Sequence, residues 1–138
     1  MGIAVLFNVA VTVDGDTLTQ RARSVTVNES AEELNVTTFG GDGYSQFTQG
    51  LKTGEISVEF FQDFTTNQTH DILYPLWVDG SAFTLRIGPD GDSGSGTNPV
   101  WVGEVQIYTY NFLTGEVGQA STNTVTFRLT SAPTLNTT

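Results

Sequence analysis

The residues able to do chemistry are few in this sequence. The single histidine, His70, has neither a cysteine nor a second histidine to complete a metal site or a catalytic triad. A nucleophile needs a base beside it, and no G-x-S-x-G motif marks any of the many serines as one. We therefore expect a surface or packing role for His70, no enzyme activity and no cofactor.

Two glycine-rich segments resemble ion-binding loops in part. Residues 90–95 (D-G-D-S-G-S) begin like a calcium loop, but the fifth, sixth and twelfth positions lack the residues that an EF-hand requires. Residues 39–43 (F-G-G-D-G) are followed by neither the lysine nor the predicted helix of a phosphate-binding loop. Both segments are predicted to be turns without a bound metal or phosphate.

Composition limits the classes of partner. The 138 residues include 15 Asp and Glu against five scattered Lys and Arg, for a net charge of −10. Without a basic patch, tight binding to nucleic-acid phosphates is not expected, and an acidic surface repels DNA. The length suits a single domain, 1–138. Neither a signal peptide nor a membrane-spanning apolar run is found, which predicts a protein made in the cytoplasm.

Alternation of apolar and polar residues predicts a mainly β fold. In residues 55–61 (E-I-S-V-E-F-F), Ile56, Val58 and Phe60 point to one face and the glutamates point to the other. The same alternation or a high β-branched content predicts further strands at 3–13, 21–27, 83–87, 100–110 and 122–130. Residues 65–78 have helical periodicity, interrupted by Pro75. The predicted architecture is a β-sandwich or barrel with one short flanking α-helix.

Residues 28–50 are predicted to be a long exposed loop. The segment mixes glycines with large apolar side chains, which are Leu34, Val36, Phe39, Tyr44 and Phe47. Exposed apolar residues are a liability for a monomer. Either they fold back onto their own sandwich or a neighbouring subunit covers them, and unblocked sheet edges point to a neighbour as well. Residues 132–138 are predicted to be a flexible C-terminal tail.

Two motifs in this region carry a family resemblance. Residues 35–40 (N-V-T-T-F-G) precede a Gly-Asp-Gly turn, and residues 50–54 (G-L-K-T-G) lead into the strand at 55–59. Together they resemble the tail tube, or major tail, proteins of long-tailed, siphovirus-like bacteriophages. The later helix and strands match that family in order. Thr53 stands where the family commonly has an acidic residue.

The resemblance implies a structural virion protein that self-assembles. Six subunits would form a homohexameric ring, and stacked rings would form the tube through which DNA is ejected into the host. Expected partners are further copies, tape measure and tail terminator proteins, and DNA that passes without specific binding; no membrane is involved. The expected location is the virion tail, assembled in the host cytoplasm. Residues 28–50 would contact the adjacent ring, and the predicted contact residues are Leu34, Val36, Thr37, Thr38, Phe39, Tyr44, Phe47 and Leu51.

Acidic residues on polar strand faces are candidates for lining the bore of such a tube. Glu55 and Glu59 share the polar face of one strand, and Glu104 lies in another. If part of the net charge of −10 lines the bore, DNA phosphates are repelled from its wall.

Other functions fit the same predicted fold. One is a type VI secretion-like tube, which would carry proteins instead of DNA. A second is a capsid decoration protein that binds the phage head as a trimer. A third is a small carbohydrate-binding module with Trp77, Trp101 and Tyr108 as a stacking platform, although both tryptophans are expected in the core.

Overall fold

The alternation in residues 55–61 gives a strand with one buried and one solvated face. In the computed structural model, which describes residues 9–91, 94–96 and 98–137, Ile56, Val58 and Phe60 are fully buried and Glu55 is exposed. The strands are β1 (Ala10–Val13), β2 (Asp16–Thr17), β3 (Ala22–Asn35), β4 (Phe47–Phe61), β5 (Phe83–Gly88), β6 (Val100–Tyr110), β7 (Thr122–Leu129) and β8 (Thr134–Asn136). The predicted strand at 3–13 is described only from residue 9 onward.

All these strands belong to one antiparallel sheet. The order is β2-β1-β5-β6-β7-β4-β3, and β8 pairs with the start of β6. Buried side chains of β1, β4, β5, β6 and β7 form a single cluster, so strands far apart in the order share one core. The sheet therefore curls around that core, which confirms the predicted sandwich or barrel.

Helix α1 (Thr69–Asp79) adds Leu73 to the same core. It begins later than the predicted 65–78 because Asn67 adopts a left-handed φ of 62°, which no right-handed helix accepts. The helix continues past Pro75 and ends at Gly80, whose N–H bonds the carbonyl of Leu76 at 3.1 Å. No helix in the described ranges is long and apolar enough to cross a membrane.

Two glycines on the core face make room for one leucine. A Cβ at Gly54 would overlap Leu129 Cδ1, and a Cβ at Gly103 would lie 2.7 Å from Leu129 Cδ2. Real carbon atoms do not approach each other this closely at either position. Leu129 therefore occupies the space that the two missing side chains leave. Packing between β4, β7 and β6 depends on glycine at both positions.

The predicted loop at 28–50 is wrong as a description of structure. Residues 28–35 belong to β3 and residues 47–50 belong to β4, so most of the segment is a β-hairpin. The irregular part is 36–46, with one turn of 3-10 helix at Phe39–Gly41. Because both faces of these strands are exposed, their sequence carries no apolar alternation.

Within the predicted flexible tail at 132–138, residues 134–136 form a strand instead. β8 fixes residues 134–136 by pairing Thr134 with Val102, Leu135 with Trp101 and Asn136 with Val100. This short strand uses the edge of β6 that β7 leaves unpaired. Its sequence signal is weak because its stability comes from pairing with a strand more than thirty residues earlier.

Candidate assembly surfaces

The longest hairpin of the protein extends beyond the body of the sheet. Strand β4 pairs with β7 from Glu55 to Phe61, whereas its pairing with β3 continues to Phe47. Residues 29–53 therefore form a two-stranded ribbon with an irregular tip, which we call the arm. Ser30 and Thr53 join its two strands through a 3.1 Å hydroxyl–hydroxyl hydrogen bond.

Large apolar side chains are exposed along the arm. They are Leu34, Val36, Phe39, Tyr44, Phe47 and Leu51. Phe39 is fully exposed at the tip, and even Leu34 has 40% of its surface accessible. These side chains do not fold back onto the sandwich, so the self-packing alternative is wrong. Their contact with another subunit stays a prediction.

The two predicted contact threonines shape the tip from within. The Thr37 hydroxyl accepts the Gln46 N–H at 2.9 Å, and the Thr38 hydroxyl donates to Gln46 Oε1 at 3.3 Å. The N–H of Val36 also bonds the Gln46 carbonyl at 2.9 Å. Gln46, which the sequence did not single out, thus holds both sides of the tip and sets where Phe39 is presented.

The sheet has a second uncovered surface on the opposite side from the core. Along β3, β4, β5, β6 and β7 most of its side chains are polar and exposed or half-buried: Ser24, Thr26, Asn28, Glu55, Ser57, Glu59, Thr84, Arg86, Glu104, Gln106, Thr124, Thr126 and Arg128. Phe61, Val102 and Tyr108 lie on the same face. We call this surface the polar face. It brings together all three predicted bore-lining glutamates, with Glu104 accepting a 2.6 Å hydrogen bond from the Thr84 hydroxyl.

One arginine on the polar face lies between a carboxylate and an aromatic ring. Arg128 is directly opposite Glu55 in the β4–β7 register, with Nη2 3.8 Å from Glu55 Oε2. Its guanidinium carbon lies 5.0 Å from the centre of the Tyr108 ring. Tyr108 follows Glu104 and Gln106 on the same face of β6 at the period of two, and Gln106 is the direct partner of Arg128.

A second arginine repeats the arrangement on the neighbouring strand pair. Arg23 Nη1 lies 3.3 Å from Glu59 Oε1, and its guanidinium carbon lies 5.5 Å from the centre of the Phe61 ring. A register shift between Ala22 and Ser24 places Arg23 there. We call these two groups, Glu55–Arg128–Tyr108 and Glu59–Arg23–Phe61, the arginine clamps. Neither clamp is predictable from the sequence, because the strand register and the bulge at Arg23 cannot be read from residue spacing.

The charges of the polar face cancel. Among the described residues, the three glutamates are matched by three arginines, which are Arg86 and Arg128 of the face itself and Arg23 of the second clamp. The other described residues are therefore strongly acidic, with eleven Asp or Glu against Arg21 and Lys52. The predicted glutamates share one face, but they do not make that face strongly negative.

His70 packs into an aromatic group at the start of α1, as predicted. Its Nδ1 lies 2.7 Å from the Tyr110 hydroxyl, and its ring stacks on Tyr74 at 5.0 Å between centroids. Phe64 and Phe112 complete the group. Burial raises the pKa of the Tyr110 hydroxyl, so it stays protonated at neutral pH. Among the described residues, no three His, Asp or Glu side chains converge as a metal site would require.

The three residues of the proposed sugar platform do not share a surface. Trp101 belongs to the core with 8% exposure, as expected. Tyr108 lies on the polar face against Arg128. Trp77 is 41% exposed on helix α1, so its expected core position is wrong. A carbohydrate-binding module built on these rings is therefore not supported by the geometry.

The outer edge of the sheet is a long strand. β3 lies at the end of the strand order and pairs with β4 along one side over 14 residues. From Ser24 to Asn28 it carries no charged side chain and no proline to block a further strand. Such an edge is a template for pairing with another chain.

Comparisons with solved structures place this fold among tubes. A structure of the tail of an empty gene transfer agent particle, with C6 symmetry, has a TM-score of 0.74 at 14% identity, covering 93% of this chain and 95% of that chain. The SPP1 tail tube has a TM-score of 0.74 at 9% identity, with coverages of 97% and 80%. The sheath–tube complex of an extracellular contractile injection system, PVC, has a TM-score of 0.70 at 11% identity, with coverages of 99% and 93%. No protein-family model and no curated protein matches the sequence.

Proposed function

We propose that this chain, which has the fold of tail tube structures, is the structural subunit of a phage tail tube that conducts DNA during ejection. Copies close into rings of six, and the rings stack. The observation that carries the proposal is the arm, which holds six large apolar side chains in solvent, away from the core. Covering them requires another molecule, and a stacked copy supplies the same surface at every level of a tube.

Ring closure uses the edge of the sheet. On the side of β3 away from β4, no strand of the described residues pairs with Ser24 to Asn28, and a neighbouring subunit satisfies the backbone groups there by continuing the sheet. The C6 symmetry of the gene transfer agent tail supports six as the ring number. A closed ring of sheets leaves no free edge, which is how barrels avoid open-ended aggregation.

The polar face then lines the bore, with Glu55, Glu59 and Glu104 among its residues. A solvated sheet face suits a water-filled channel because every strand presents hydroxyl, amide or paired charged groups to it. In this role the chain has no catalytic function. Its other partners are a tape measure and a tail terminator, its cargo is DNA without specific binding, and its place is the virion tail.

Electron microscopy of the purified chain tests the proposal directly. Rings or striated tubes of constant bore are the expected result at high protein concentration. Compact trimers would instead indicate a capsid decoration protein. A chain that stays monomeric at every concentration would contradict assembly through its own surfaces.

Variants of the arm tip test how stacking occurs. Phe39→Ser with Tyr44→Ser is expected to leave the thermal unfolding midpoint unchanged, because both side chains are exposed, but to abolish long tubes while single rings persist. The matched control is Val117→Ser, which makes the same change at a fully exposed residue outside the arm. Equal loss of tubes in the control, or normal tubes in the tip variant, would rule out the arm as the stacking element.

A further inference from the structure

The two arginine clamps share a geometry that ordinary surface ion pairs do not require. In each, a guanidinium lies beside a glutamate and over an aromatic ring of the same polar face. Surface arginines without such partners extend into solvent, where their planar donor groups bind phosphate in a bidentate way. In the clamps each guanidinium is instead paired with a carboxylate and lies over a ring, although 51% of the Arg23 side chain and 58% of the Arg128 side chain stay exposed.

We propose that the clamps keep the bore wall from adhering to nucleic-acid phosphates, with Glu55, Glu59, Tyr108 and Phe61 as positioning residues for Arg128 and Arg23. The inference rests on the proposed function and concerns the cargo that the wall meets. A paired positive and negative charge gives a field that is short-ranged and further screened by salt, over a Debye length of about 8–10 Å. At these two positions a passing polyanion therefore meets paired charges instead of isolated cations.

The clamps also explain why arginines are tolerated on such a wall. Arg128 and Glu55 are direct cross-strand neighbours, and opposite charges at such positions favour the strand pairing. Exposed pairs of this kind contribute little to folding stability, so removing one carboxylate leaves the fold intact. What changes is the arginine, which is released with its full charge toward the bore.

Binding of a short fluorescent DNA duplex tests the inference. Glu55→Gln with Glu59→Gln keeps the side-chain shapes but frees both arginines. We expect duplex affinity at low salt to rise at least about tenfold over the parent, with a salt dependence steeper by about one unit for each arginine that contacts a phosphate. Tyr108→Leu, which removes one ring, is expected to give a smaller increase.

The matched control is Glu32→Gln with Glu33→Gln on the arm, which changes the net charge equally away from the polar face. This control is expected to leave DNA affinity near the parent value. Adding Arg23→Gln and Arg128→Gln to the first variant is expected to remove the gained affinity. Unchanged affinity in the first variant, or an equal gain in the control, would overturn the inference.

The measurement stands apart from the test of tube formation. It is made on tubes where these form and on the subunit where they do not, because the polar face is uncovered in the single chain. Failure to form tubes contradicts the proposed function alone. Failure of the freed arginines to bind DNA contradicts the clamp alone.

Discussion

At the residue scale, close packing around Leu129 depends on two neighbours that have no side chain. Gly54 and Gly103 lie on either side of it on the core face, so the leucine cannot move away from one without approaching the other. Gly54 belongs to the G-L-K-T-G motif, one of the two motifs by which the sequence resembles tail tube proteins. The structure shows why a glycine is needed at this position: the Leu129 side chain of β7 packs against β4 where a Cβ would otherwise be.

Gly54→Ala is expected to lower the free energy of unfolding by about 1–3 kcal/mol, because overpacking forces Leu129 or the strands to shift. Urea unfolding measures the loss. The control is Gly40→Ala, where the nearest atom to the new methyl group is 3.8 Å away and the change is expected to stay within about 0.5 kcal/mol. A neutral Gly54→Ala would show that Leu129 does not fill this space.

Asp63 links stability to pH. The backbone N–H and hydroxyl of Thr65, and then the Arg21 guanidinium at 2.8 Å, hold the pKa of its carboxyl below the ordinary 3.8. The stabilising contribution is complete above 3.8 and is lost as the pH falls through the lowered pKa. Asp63→Asn is expected to be less stable at neutral pH and to lose less stability on acidification.

Urea midpoints measured from neutral to acidic pH check this expectation. The control is Asp42→Asn at the exposed arm tip, where a left-handed φ of 51° suits asparagine as well as aspartate. If the midpoints of Asp63→Asn run parallel to those of the parent over the whole range, the carboxylate does not contribute as described.

At the element scale, the short strand β8 closes one edge of β6. Truncation of residues 134–138 removes its pairing with Val100, Trp101 and Val102. We expect a loss of about 1–3 kcal/mol from the missing hydrogen bonds, and a red shift of Trp101 fluorescence as that ring meets water. The measurement needs a Trp77→Phe background, so that Trp101 is the sole tryptophan.

A chain shortened by residues 137 and 138 alone is the control, because it retains β8. It is expected to match the parent in stability and emission. Identical behaviour of the longer truncation would mean that β8 adds nothing to the edge of β6.

How far each element could be predicted depends on whether it has a buried face. Ile56, Val58 and Phe60 alternate with glutamates because one side of β4 is core, so this strand and its polar face followed from the sequence. The arm strands and β8 have exposed faces or very short length, so their pairing leaves no periodic signal. The clamps depend on the strand register and, for Arg23, on a bulge, and only long-range pairing decides both.

At the scale of the whole molecule, the location of charge bears on assembly. The charges of the polar face balance, so the other described residues carry the excess of acidic groups, and in the proposed tube neighbouring copies approach through those surfaces. Like-charged subunits repel over a distance that shrinks as salt is added. In the proposed assembly, the apolar contacts of the arm have to exceed this repulsion.

Tube assembly is expected to accelerate severalfold between low and physiological ionic strength, because screening weakens that repulsion. Light scattering after a salt jump follows the rate, and electron microscopy identifies the product. A parallel measurement at constant salt with added neutral osmolyte separates screening from crowding. Assembly that slows as salt rises would indicate that attractive ion pairs, not apolar contacts, govern association.

The alternation of β4 also restricts how genes for such a chain can change length. Inserting one codon between Glu55 and Phe61 would turn every later side chain of the strand over, sending glutamate inward and phenylalanine into water. Inserted or deleted residues are far better tolerated at positions 36–46, because no strand pairing there requires side chains to alternate between two faces. Lineages of this protein should therefore differ in length mainly at the tip of the hairpin, while its strands stay constant.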